Sequence, residues 1–297
     1  MIRKFLAAAL LCGLTTPLLA AAPAPAATPA PAAAATFVPP PPDVIPVCTR
    51  ESLQAAVDSY IVAQRAGDAT KMVFAEKTKY LENMSDVAPD KGLWNTALPI
   101  AYTNSILDSK RCKTFTEVIV TDGGHPYVIG TRLYVDSGKI TRIDSLVTDK
   151  GDWLFNANNY LKVAKTEDWN VLPPEKRTPM QAMLNGANAY LDLFADKHVE
   201  APWGTPCERM EGGAYTNRKN DPNSTCKVGI PNGVLYIVNR DYIVDEEKGV
   251  VNIFCRFGNS TTGMPDSHMF KYVNGKFRYV HTLSVSIGRD SPQIEDF

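Results

Sequence analysis

The chain says nearly the same thing twice. Gly138 to Val147 reads GKITRIDSLV, and Gly275 to Ser284 reads GKFRYVHTLS. Aligning these segments and walking backwards brings SLQAAVDSYIVAQRAGD, from Ser52, beside PMQAMLNGANAYLDLFAD, from Pro179. In the first stretch Leu53, Val57, Tyr60, Ile61 and Gln64 recur at helical spacing. In the second, Met183, Ala187, Tyr190, Leu191 and Phe194 do the same, so Tyr60 and Tyr190 fall at matching places. A short second helical piece and then a strand carrying Glu82 or Glu211 are expected in each half. β-branched and alternating runs follow, punctuated by Asp, Gly and Asn. DSGK and VNGK read as hairpin turns with glycine free to take positive φ. Helices first, then an antiparallel meander, twice over, predicts an α+β chain with helices on one face of each sheet.

The ends bound where this duplication is housed. Residues 1–22 combine Arg3 and Lys4, an apolar run from Phe5 to about Leu19, and small residues at the close. They read as a secretory signal peptide, the run being too short for a membrane anchor. Residues 23–43 are Ala/Pro-rich and uncharged until Asp43, a segment that cannot bury a core and reads as an extended, disordered linker. The expected division is a first repeat at 44–150, a connector at 151–178 and a second repeat at 179–297. The connector's WLFNANNYL and WNVLPP carry aromatics that should pack on the body. Formal net charge is −1 and no Lys/Arg cluster occurs, which disfavours nucleic acid as a main partner. No later apolar run is long enough to span a bilayer. Periplasmic or secreted localisation follows, and the sequence leaves the oligomeric state open.

Five cysteines lie beyond the signal segment: Cys48, Cys112, Cys207, Cys226 and Cys255. In an oxidising compartment they are disulfide candidates first. Neither CxxC nor HExxH occurs, so no metal is expected. An odd count leaves one thiol. Cys255, inside the strand-like NIFCRF, is the one expected to stay a small buried hydrophobe.

With that organisation in place, the chain resembles the nuclear transport factor 2-like superfamily, also called SnoaL-like. The residues that carry the likeness are ENM (82–84) or EGG (211–213) on the first strand and GLW (92–94) soon after. The duplication, ERMEGG with Cys207 and Cys226 around it, and YIVDEEKGVV resemble a two-repeat exported branch of unknown function. The likeness covers nearly all of residues 48–288. It implies two tandem cone-shaped repeats, each with a pocket between helices and a curved antiparallel sheet. It further implies general acid–base chemistry without a cofactor, as in isomerases, lyases or hydrolases, or ligand or protein binding without chemistry; fold alone does not choose. The same picture implies bridges Cys207–Cys226 and Cys48–Cys112.

Within such cones, polar residues flanked by apolar neighbours are the candidates. Asp144 and His281 occupy equivalent strand positions, and either would serve as acid or base if it lined a pocket. The alternative is a residue on the convex face or a histidine satisfied structurally. Glu211 and Arg209 share a strand face, as an ion pair or as a clamp for an anionic or hydroxylated ligand; Glu82 is the equivalent of Glu211. Tyr190 and Tyr60 are hydrogen-bond donors to a ligand or members of the core stripe. Trp94 is pocket wall or core. The expected catalytic set is His281, Glu211 and Asp144, with Arg209, Tyr190, Tyr60, Trp94 and Glu82 contacting a small-molecule ligand. GxSxG is absent, so a nucleophile elbow is unsupported.

Overall fold

The computed structural model describes residues 48–286 apart from Val228. The expected signal peptide and Ala/Pro linker lie outside the described residues. The first repeat opens with α1 (Arg50–Ala66), capped by the Thr49 side chain, which accepts the Ser52 N–H. The helix stops at Gly67, whose φ of 61° suits a residue without Cβ. Leu53, Val57, Tyr60, Ala63 and Gln64 form its buried stripe. The short helical piece after it is a 3-10 turn at Ala69–Lys71. Six strands follow: β1 (Phe74–Glu82), β2 (Ser85–Asp86), β3 (Tyr102–Asp108), β4 (Lys113–Val120), β5 (Tyr127–Asp136) and β6 (Lys139–Thr148). The connector contains α2 (Ala157–Ala164).

The second repeat then runs α3 (Met180–Asp192), β7 (Glu208–Glu211), β8 (Ala214–Tyr215), β9 (Ile237–Asp245), β10 (Val250–Phe257), β11 (Met264–Val273) and β12 (Lys276–Ser284). The two sheets have the same strand order, β2-β1-β6-β5-β4-β3 and β8-β7-β12-β11-β10-β9. Each is an α+β unit of helix and mixed sheet. The four-strand meander is antiparallel as expected, but the first strand returns parallel to the last, β1 to β6 and β7 to β12. Parallel neighbours need a crossover rather than a tight turn, and residues 87–101 and 216–236 supply its length. Both GK turns have positive φ at both central residues, Ser137–Gly138 and Asn274–Gly275, as a type I′ hairpin requires.

Register confirms that the alignment is spatial. Leu81 pairs with Asp144 as Met210 pairs with His281, and Glu82 with Ser145 as Glu211 with Thr282. One face of each sheet is covered by its own helix. Val118, Ile129, Leu133 and Ile143 pack on Leu53, Val57 and Tyr60; Val251, Ile253, Phe270 and Val280 pack on Met183, Ala187 and Tyr190.

The opposite faces meet each other. Ile106, Phe115 and Leu146 of sheet one pack with Ile243, Phe254 and Met269 of sheet two, closed by Trp169 of the connector. Fully buried Arg132 crosses this seam. Its guanidinium lies 3.9 Å over the Phe254 ring and donates from Nε (3.0 Å) and Nη2 (2.6 Å) to Asn252 Oδ1. At one edge the repeats exchange equivalent contacts: Asp108 Oδ2 accepts the Val244 N–H at 2.9 Å, and Asp245 Oδ2 accepts the Leu107 N–H at 3.0 Å.

Candidate functional site

The second repeat holds a cavity of about 890 Å³, within the range of small-molecule sites. Its wall brings together residues from three places. Arg209 and Glu211 stand two apart on β7, so they share a face. Trp153 comes from the connector, and polar residues between Ala214 and Thr225, with Gly229, form the rim. The Cys207–Cys226 bridge ties that segment back to the start of β7. Gly229 is needed there: its φ is 67°, and a Cβ would stand 2.7 Å from Arg209 Nη2.

The wall is a relay of charge-assisted hydrogen bonds. Arg209 donates from Nη1 to the Tyr190 hydroxyl (3.1 Å) and from Nη2 to Glu211 Oε2 (2.8 Å). Trp153 Nε1 donates to Glu211 Oε1 at 2.8 Å. Arg209 is only 5% exposed, and its Nε has no hydrogen-bond partner. Burial works against the guanidinium charge, but Tyr190 and Glu211 more than offset it. Burial also raises the Tyr190 phenol above its ordinary value, against the pull of Arg209. Tyr190 is therefore a neutral hydroxyl near pH 7. Of the expected site residues, Tyr190, Arg209 and Glu211 are brought together.

Their counterparts in the first repeat serve structure. Glu82 Oε2 accepts the Leu93 N–H at 2.7 Å, which anchors the 3-10 turn Leu93–Asn95. Trp94 in that turn is buried, donates from Nε1 to the Pro89 carbonyl and packs on Tyr80. The Tyr60 hydroxyl pairs with Thr131 Oγ1 at 2.8 Å beneath α1.

Asp144 and His281 lie elsewhere. The strand face they share does not look into either helix-covered concavity; it looks into the seam between the sheets. The reason is which face each helix covers: Ile143 and Val280 take the helix side, so their neighbours Asp144 and His281 take the other. His281 is gripped from both ends. Nδ1 sits 3.2 and 3.1 Å from the two oxygens of Glu117 on β4, and Nε2 lies 2.6 Å from Glu167 Oε2 in the connector. Tyr160 of α2 donates to Glu117, and Trp169 Nε1 donates to Glu167. Burial would push the imidazole down, but Glu167 and Glu117 outweigh it and hold its pKa at about 10. This is a charged cross-link among sheet one, sheet two and the connector. In the first repeat, Arg142 pairs instead with Asp144, beside a polar cleft of about 310 Å³.

Sequence reasoning did not find Glu117, Glu167 or Trp153, whose partners are 58 to 164 residues away. It also missed a deep cluster of Cys255, Asp266 and His268 beneath Tyr190, all buried. His268 stands mid-strand in β11. Both expected bridges form, Cys48–Cys112 and Cys207–Cys226, and Cys255 is unbridged and buried.

Comparison with solved structures returns distant likenesses over part of the chain. An NTF2-like protein of unknown function from Burkholderia xenovorans LB400 is similar at 16% identity and TM-score 0.27, over 33% of this chain and 84% of that one. A de novo designed NTF2 fold protein, NT-9, is similar at 15% identity and TM-score 0.25, over 40% and 94%. The two repeats share one topology, a helix packed on a six-stranded mixed sheet. A domain of unknown function, DUF8021, matches residues 176–284, which is the second repeat without its end. No curated protein matches the chain. No helix among the described residues is long and apolar enough to cross a membrane.

Proposed function

We propose that this is an exported small-molecule-binding protein whose second NTF2-like repeat takes a ligand bearing a carboxylate or neighbouring hydroxyls. The observation that carries this reading is Arg209: a buried cation, held between Tyr190 and Glu211 and lining an 890 Å³ cavity. A buried guanidinium fixed by its neighbours is pre-organised for an oxyanion, and the ligand need not order it on binding. Export fits the two bridges, which persist in oxidising compartments.

A second reading is cofactor-independent acid–base turnover of the same ligand. Glu211 favours it, since its side chain is 25% exposed and stands on the cavity wall. His281 and Asp144 would act on it only from the seam, as positioning groups.

The test is mass spectrometry of small molecules released on denaturing the exported protein, beside Arg209→Met and Glu211→Gln variants whose near-ultraviolet circular dichroism is unchanged. A compound released from the wild type and reduced at least about tenfold in Arg209→Met supports binding. Consumption of that compound by the wild type but not by Glu211→Gln selects the second reading. A wild type that releases nothing, and that no compound in extract of the producing cells stabilises, overturns both in favour of a protein-interaction module.

A further inference from the structure

We propose that Cys255, Asp266 and His268 form a three-ligand site for a zinc-class divalent cation inside the second repeat. This inference does not depend on the ligand reading. β10 and β11 are antiparallel neighbours, and Cys255 stands directly opposite Asp266. His268 lies two residues further along β11, on the same face. One ligand atom from each residue falls within 4.8 Å of the other two.

The contacts look like convergence on a shared point. Asp266 Oδ2 is 2.8 Å from His268 Nδ1, close enough for a hydrogen bond. Yet Nδ1, fully buried, has no partner in hydrogen-bond geometry. Distance without alignment is what two donors of lone pairs show when a third atom is meant to sit between them. Cys255 Sγ is 3.5 Å from the same oxygen. Tetrahedral zinc with one sulfur and two lighter ligands separates sulfur from oxygen by about 3.5 Å and nitrogen from oxygen by about 3.3 Å. The sulfur already has that spacing, and the nitrogen–oxygen pair has to open by about half an ångström.

The surroundings support the assignment. Asp266 Oδ1 accepts the Ser284 hydroxyl at 2.6 Å, which fixes the carboxylate's orientation, while Oδ2 accepts the Cys255 thiol proton that the cation would replace. A thiolate, an imidazole and one carboxylate suit zinc or cobalt and do not suit calcium or magnesium, which take oxygen. Three protein ligands is the number that leaves a fourth position open. Tyr190 packs on His268 with ring centroids 5.4 Å apart, and its hydroxyl touches Arg209 on the cavity wall. The Cys255 S–H points at Asp266 Oδ2, and binding displaces that proton to solvent as the sulfur–metal bond forms. The expectation of no metal rested on local spacing; here strand pairing, not spacing, assembles the set.

The experiment unfolds the full-length, disulfide-intact protein with a chelator, then refolds it with excess Co²⁺. The expected result is one cobalt per chain by elemental analysis and a near-ultraviolet thiolate-to-cobalt charge-transfer band. Cys255→Ser abolishes the band and weakens binding more than about 100-fold; Asp266→Asn weakens it while keeping the band. Uptake below about a tenth of an equivalent by the refolded wild type, or a full equivalent with no thiolate band, overturns the proposal. Where Cys255→Ser fails to refold, the wild-type stoichiometry and band decide the matter alone.

Discussion

The Glu117–His281–Glu167 cross-link predicts an alkaline weakness. The imidazole pKa rises from 6.5 to about 10 in the fold, which corresponds to at most about 5 kcal/mol of preference for the charged ring. Because the folded value is the higher one, this stability is fully present below the unfolded pKa near 6.5. It drains as pH climbs and is gone once pH passes about 10. The perturbation is replacement of Glu117, His281 and Glu167 together by Gln, which removes the titration while keeping hydrogen-bonding atoms. Single replacements are poorer probes, since a lone buried carboxylate would bring its own pH dependence. Urea unfolding of both proteins from pH 6 to 10 gives the stability gap at each pH. The expected outcome is a gap that changes against the wild type by about 2 to 5 kcal/mol across this window, steadily, with the wild type losing. A gap constant within about 0.5 kcal/mol would refute the charged cross-link and leave His281 a neutral, structurally satisfied histidine.

Removing Cys207–Cys226 by double Ala substitution should cost about 3 kcal/mol, and removing Cys48–Cys112 about 4, because the second closes the longer loop; reducing and non-reducing thermal melts measure both. Arg132→Ala should cost about 1–3 kcal/mol by leaving the buried Asn252 side-chain oxygen unpaired in the seam. Arg132→Lys should recover little, since Lys lacks the planar fork; urea midpoints of the two variants check this. Asp245→Ala and Asp108→Ala should each destabilise by about 1–3 kcal/mol. Each carboxylate also holds an arginine and a turn N–H, Arg50 and Lys248 for Asp245 and Arg111 for Asp108, and equilibrium unfolding of the pair compares them.

Much of the fold was legible because it is local. Two helical stripes, two Gly-bearing turns and the period of two along the strands are read from neighbours in sequence. The alignment they produce survives as register, down to Asp144 opposite Leu81 and His281 opposite Met210. The Arg209–Glu211 pair on the cavity wall was legible for the same reason, since the two stand two residues apart on one strand, with Tyr190 behind them. What alternation cannot say is which face of a strand looks inward. Asp144 and His281 were correctly placed on equivalent faces, but those faces meet across the seam. The partners of His281 are 164 and 114 residues away in sequence. The parallel closure of each sheet was likewise hidden, since it depends on a crossover whose path no local pattern records.

The reciprocal contact of Asp108 and Asp245 is the arrangement expected at the interface of a symmetric dimer, where each partner gives what it receives. Here the two partners are joined in one chain, and the join changes what mutation can do. In a homodimer every substitution is made twice, so a helpful acid in one half is imposed on the other. In this chain each half varies alone. One copy can spend its glutamate on anchoring a turn while the other keeps it facing a cavity. One seam position can be aspartate beside an arginine while its twin is histidine between two glutamates. Joining the halves released each copy from matching the other.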